Sequence, residues 1–245
     1  METYTFYHGT RADPAVAQQS FAQGAQPQGK GYGGQKTGFY ILTSQDAARR
    51  HARDFLEQEI FADQEKRAGP PLVVQIKTDF KSSEWDIDYE QHASEVLALL
   101  GAHRSLFGEI IGQPFSYLNT QNQTETFCVK GLHDFGPGGG FKIADGARRR
   151  GFGFTRAPDD EGTVGDAPIL QAIADHFSAI DPDFASARQQ LMLDLATKPG
   201  SALKYVGTSP LAVKGMEVFE SGTWNNLPLP PRHPSLPQNR QDLRL

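Results

Sequence analysis

The chain reads as an α+β fold, on three observations. Short runs rich in aromatic and β-branched residues, some with apolar–polar alternation, mark several strands. Longer amphipathic stretches with helix caps lie between them. The 25 glycines and 16 prolines require many turns and long loops, which argues against a helix bundle. Short strands alternating with helices define the α+β class.

The elements follow in order. Residues 3–8 (TYTFYH) alternate and predict a first strand. Residues 13–23, with Ala15, Val16 and Phe21, predict a short helix that stops at Gly24. Residues 29–38 carry glycines at 29, 31, 33, 34 and 38 and form a loop needing unusual backbone angles. Residues 39–42 are a second strand. Ser44 is placed to cap a helix over 45–62, and Pro70 and Pro71 end that region. Residues 72–76 (LVVQI) are a third strand, and 89–100 a helix with Val96, Leu97, Leu99 and Leu100 inward. Strands over 115–118 and 126–129 are joined by a polar run. Residues 136–153 are glycine-rich and basic, and glycines 136, 138, 139 and 140 imply a mobile or tightly bent segment that could border the acceptor site or be a plain connector. Helices are expected over 168–179 and 184–196, and late strands over 203–206 and 216–219. Residues 225–245, with five prolines, read as an extended tail.

Composition sets outer bounds. A chain of 245 residues fits one large domain or one domain with an appendage. The formal net charge of −5 disfavours a nucleic-acid partner. The single cysteine, Cys128, rules out an internal disulfide and a Cys-based metal site, and its apolar surroundings predict a buried thiol. The remaining histidines lack metal-ligand spacing, so no metal is expected. No run of about 18 apolar residues is present, so no membrane span is expected. No Sec signal is visible. The expected location is cytoplasmic, or a host cytosol reached without a Sec signal.

The chemistry rests on a spaced set of motifs. Tyr7-His8-Gly9-Thr10 ends the first strand. A glycine loop then leads to Gly38-Phe39-Tyr40-Ile41-Leu42-Thr43, with Ser44 and Ala47 at a helix start. Gln123-Thr124-Glu125 opens a later strand. Together these resemble the ADP-ribosyltransferase superfamily in its His-Tyr-Glu branch, which includes diphtheria-type toxins and poly(ADP-ribose) polymerases. The resemblance spans residues 3–130 and is strongest over 4–10 and 29–52. It implies a split pair of small, perpendicular sheets around an NAD cleft, with flanking helices and a C-terminal extension.

By this resemblance His8 bonds the adenosine ribose, Tyr40 stacks on nicotinamide, and Glu125 is catalytic, all three converging on one nicotinamide riboside. The physical chemistry agrees. Imidazole can offer a donor to a ribose hydroxyl. Gly9 permits close approach of an amide to the backbone. An aromatic face suits a flat cation, and Phe39 then points the opposite way, into the core. The C1′–nicotinamide bond breaks through an oxocarbenium-like transition state, which a carboxylate stabilises more than the ground state. Gln123 shares a strand face with Glu125 and, in relatives with this pair, contacts the acceptor. His51 stands where some relatives place a second stacking ring. Thr10, Gly38 and Ser44 fall within the cofactor-binding motifs, and Arg11 and Lys30 could meet the NAD pyrophosphate. Glu217, in Gly215-Met216-Glu217-Val218-Phe219, is a rival catalytic carboxylate ranked second. Arg148-Arg149-Arg150 is a basic run, either solvated or a docking patch.

Three regions are expected: a catalytic core over 1–135, a mixed extension over 136–224 for target recognition, and a Pro-rich tail over 225–245. The leading expectation is NAD-dependent mono-ADP-ribosylation of a protein, in the manner of bacterial effectors or toxins, some of which modify ubiquitin. The alternatives are an NAD glycohydrolase toxin and a non-catalytic NAD- or protein-binding module.

Overall fold

The computed structural model describes residues 3–22, 24–25, 39–54, 69–119, 123–134, 138–155 and 163–229. Among these, two antiparallel sheets and six α-helices form a mixed α+β fold. The glycine loop 29–38, with Lys30 and Gly38, lies outside the described residues, as do the end of the helix expected over 45–62 and most of the tail.

The larger sheet has seven strands in the order β11-β10-β3-β1-β2-β9-β4. They are β1 (Thr3–Arg11), β2 (Phe39–Leu42), β3 (Pro71–Asp79), β4 (Trp85–Ile87), β9 (Ala202–Tyr205), β10 (Ala212–Glu220) and β11 (Thr223–Leu227). β1 is central and pairs with β3 along its whole length, from Thr3↔Asp79 to Arg11↔Pro71. Its described register with β2 is the single pair Tyr7↔Leu42.

Each face of this sheet follows from the period of two. Phe6, Phe39, Trp85 and Tyr205 point to one side, where Phe6–Trp85 and Trp85–Tyr205 ring centroids lie 5.1 Å and 5.0 Å apart. The other side of β1 carries α2 (Gln45–Asp54). Ser44 caps that helix, its Oγ accepting the Ala47 N–H at 3.4 Å. Small residues allow α2 to sit close. Ala48 and Ala52 are fully buried, and a Cβ added at Gly9 would lie 2.2 Å from the Ala48 carbonyl oxygen.

The smaller sheet is a meander of β5 (Pro114–Leu118), β6 (Thr124–His133), β7 (Gly140–Asp145) and β8 (Arg148–Gly153). Its core centres on Phe107 of α4 (Phe107–Ile110), whose ring meets Phe141 at 4.8 Å and Phe177 at 5.1 Å. Two long helices join the sheets. α5 (Thr163–Ile180) packs on β5, and α6 (Pro182–Thr197) on β4 and β9. Pro182 opens α6, and Asp181 accepts the Phe184 N–H at 2.6 Å, which is the expected start of a helix. Arg188 of α6 ties Asp86 of β4, at 2.8 Å, to Asp175 of α5, at 2.9 Å.

Several elements differ from expectation. Residues 140–153, to which the sequence assigned no strand, form a hairpin. Asp145 pairs with Arg148, and Gly146, at φ 54°, begins a two-residue loop as such hairpins require. The helix expected from residue 89 is α3 (Ala93–Ala102). Asp88 accepts the Glu90 and Gln91 N–H groups at 3.1 Å and 3.3 Å, so a side-chain-capped turn takes the place of the first helical turn. Strands β4 and β11 were not anticipated. Residues beyond 135 are woven into both sheets, with β7 and β8 completing the smaller and β9, β10 and β11 belonging to the larger. No described helix is long and apolar enough to cross a membrane.

Candidate functional site

His8 lies near the end of the central strand. Its Nδ1 is 2.7 Å from the carbonyl oxygen of Tyr40, and its ring packs on Phe39 with centroids 4.2 Å apart. A carbonyl only accepts, so Nδ1 carries the proton. Burial, with a smaller contribution from His51, lowers the His8 pKa to about 4. The neutral ring therefore presents Nε2 as an acceptor. This corrects the expected donor: a ribose hydroxyl would have to donate to His8.

Tyr40 is linked to His8 through its backbone. Alternation along β2 sends its side chain to the side opposite Phe39. There it forms a row with its β9 partner Lys204 and, beyond, Asp86 of β4. The Lys204 ammonium, fully buried, is 5.5 Å from the Tyr40 ring centroid. Burial raises the Tyr40 pKa, and Asp88, Glu90 and Asp86 add to the effect in that order. The imidazole of His8 and the phenol ring of Tyr40 thus leave the sheet on different sides.

The neighbouring candidates have structural partners. Gly9 admits the backbone of α2, a role in packing that differs from contact with a ligand amide. Thr10 pairs with Leu72 in the β1–β3 ladder. Arg11 Nε donates to the Gly69 carbonyl at 3.2 Å, and Ser44 is the α2 cap. His51 is exposed on α2 with its pKa lowered by desolvation, against the opposing charges of Asp54 and Asp88.

Glu125 belongs to the smaller sheet. Its Oε2 lies 2.7 Å from Tyr117 Oη, and its Oε1 accepts from Asn119 Nδ2 at 2.5 Å. The same Asn119 amide reaches Gln123 Oε1 at 3.4 Å, so Gln123 and Glu125 share one side, as the spacing predicts. The bonds from Tyr117 and then Asn119 hold the Glu125 carboxyl below its ordinary pKa, with Arg148 and Arg150 contributing at longer range. Its described hydrogen-bond partners lie on or beside β5, whereas those of His8 and Tyr40 lie on the larger sheet.

Glu217 has a different environment. Its register with Val73, itself opposite Gly9, puts it on the α2 face of the sheet. Gln45 donates to it at 2.9 Å and Arg49 at 2.8 Å and 3.1 Å. The neighbouring residue in register, Met216, shares the opposite face with Val74 and His8.

A cavity of about 540 Å³ opens between the edge strand β5 and α5, beside Tyr117 and Thr124. Its lining is mostly apolar, with Gln171, Asp175 and His176 from the helix. No group of three or more metal-binding side chains occurs among the described residues. Arg150 of the basic run turns inward to Asp145 at 3.0 Å and to Asp166, while Arg148 and Arg149 are exposed. Cys128 is half-buried rather than buried.

Sequence reasoning missed the polar groups around both candidates. Asp86, Asp88 and Lys204 could be sought from Trp85-Asp86-Ile87-Asp88, where two acids share one face of an otherwise apolar run. Tyr117 and Asp145 needed the strand register. No family model, no curated protein and no solved structure matches the chain.

Proposed function

We propose that this chain is an NAD-dependent mono-ADP-ribosyltransferase acting on a protein side chain. The observation that carries this reading is the lock between two motif strands. His8 and Tyr40, 32 residues apart, are joined by a side chain bonded to backbone at 2.7 Å, where β1 and β2 have only the Tyr7↔Leu42 pair described. In this reading a ribose hydroxyl donates to His8 Nε2, while Tyr40, whose ring leaves the opposite side of the sheet, acts by holding the His8 imidazole through its backbone carbonyl rather than by stacking on nicotinamide.

Glu125 supplies the negative charge. Neutral donors hold it ionised without cancelling its field, so the carboxylate can stabilise the ribosyl oxocarbenium as nicotinamide leaves with the bonding electron pair. The cavity beside Tyr117 offers room for an acceptor side chain. The extension expected to recognise a target contributes strands to both sheets, so any recognition surface is part of the same fold.

The test is incubation with labelled NAD and a cell lysate, followed by intact-mass analysis of labelled proteins. A gain of one ADP-ribose unit on a protein is the expected result. Free ADP-ribose with no labelled protein would indicate hydrolysis, and absence of nicotinamide release would overturn the enzyme reading.

A further inference from the structure

A single hydroxyl in the smaller sheet faces two carboxylates. Tyr117 Oη is 2.7 Å from Glu125 Oε2 and 2.9 Å from Asp145 Oδ2. A phenol has one proton to donate. With both acids ionised, one of these contacts would set oxygen lone pairs against each other with no hydrogen between them. Both contacts are satisfied when one carboxyl holds a proton and donates it to Oη. Burial, then the bonds to the two acids, raise the Tyr117 pKa, so the phenol stays protonated.

We propose that Glu125, Tyr117 and Asp145 form one proton-sharing unit, with Tyr117 as the relay, that takes up the proton released when an acceptor hydroxyl attacks the ribose. The acceptor role rests on the transferase reading; the shared proton does not. The unit runs from the surface inward, since Glu125 is half-buried and Asp145 is buried. The charged groups around it come from two elements. Arg150 of β8 pairs with Asp145 at 3.0 Å and with Asp166 of α5, and Arg148 of β8 acts on Glu125 at longer range. Asn119, neutral, fixes the other oxygen of Glu125.

The step balances without an oxidant or reductant. The acceptor oxygen forms its bond to C1′ while the C1′–N bond breaks and its electron pair leaves with neutral nicotinamide. Asp145 releases the shared proton to solvent; the acceptor proton passes to Glu125, then to Tyr117 Oη as the phenol's own proton passes to Asp145. Glu125 returns to its anionic form, and the unit again holds one shared proton. Tyr117 and Asp145 act through Glu125 and are positioning residues.

The test is a carboxyl carbon NMR titration of Glu125, read without NAD. Two interacting acids titrate in macroscopic steps that belong to the pair, so the wild-type Glu125 signal should show two steps. Tyr117→Phe keeps the ring beside Phe127, 5.8 Å away, and removes only the relay. Its lower step should move up, because a donor is lost, and its upper step should move down, because no hydroxyl is left to share. Asp145→Asn should leave Glu125 a single step. A single wild-type step, or steps in Tyr117→Phe that stay put or move in the same direction, would overturn the proposal. Coupled steps without nicotinamide release would overturn the transferase reading and the acceptor role, but not the shared proton. A single step alongside release would overturn the shared proton alone.

Discussion

Glu125 and Glu217 are both half-buried strand carboxylates, each hydrogen-bonded by two side chains, yet their partners differ in charge. Glu217 meets the Arg49 guanidinium through two nitrogens, with Gln45 beside it. Glu125 meets a phenol and an amide, with arginines only at longer range. A guanidinium in contact cancels a carboxylate's field, whereas neutral donors stabilise the anion and leave its charge to act on something else. Glu217 is therefore a fastener between β10 and α2, and Glu125 is the acid suited to a cationic transition state.

The sharpest way to break this contrast is to neutralise each acid in turn. Glu125→Gln should lower nicotinamide release from NAD by about 10²–10³-fold, the usual loss when one electrostatic stabiliser is removed. Glu217→Gln should stay within about twofold of wild type if its contribution is structural. Equal losses, or a larger loss at residue 217, would reverse the assignment.

The α2 face should instead respond in stability. Gly9→Ala drives a Cβ to 2.2 Å from a backbone oxygen, which no side-chain rotation relieves. Overpacking of this kind costs about 3 kcal/mol, measurable by urea unfolding. An unchanged midpoint would mean that α2 is not seated as described.

His8 sharpens the comparison from the opposite face. Its folded pKa of about 4 lies below the ordinary histidine value of 6.5. Between these values the unfolded state binds more protons, so stability falls as pH drops through that window and is fully present above it. Discounted for partial exposure, the loss is about 2 kcal/mol. His8→Gln should flatten this part of the stability–pH curve, and a slope surviving the substitution would assign it to other groups.

These contrasts also explain what could be read from the residues alone. Strands 3–8 and 39–42 and the Ser44 cap rest on local alternation and local bonding, and the structure places them where those signals fall. Residues 140–153 were obscured by the run Arg148-Arg149-Arg150, although Asp145-Gly146 is itself a hairpin signal. The pairing of Gln123 with Glu125 on one side followed from period two. By contrast, the row Tyr40–Lys204–Asp86 draws on three strands far apart in the chain, and such partners exist only once the strand order is known. The opposite exits of His8 and Tyr40 were hidden for the same reason, since each strand's alternation fixes its faces only relative to itself.

The smallest effect gives the most selective test. The Arg49–Glu217 pair is partly exposed, with side-chain accessibilities of 29% and 19%, so solvent screens much of its attraction. Its two-nitrogen geometry puts it near the upper end of the range for such pairs, about 1 kcal/mol. Glu217→Gln keeps the shape and a hydrogen-bonding oxygen but removes the charge, so it should cost about that much, and less at 1 M salt, where the wild-type pair is itself weakened. A double-mutant cycle with Arg49→Gln isolates the pairwise part from any local repacking. Coupling near zero would mean that Glu217 is as free as Glu125 to act on a ligand, and the distinction between the two carboxylates would then rest on their positions alone.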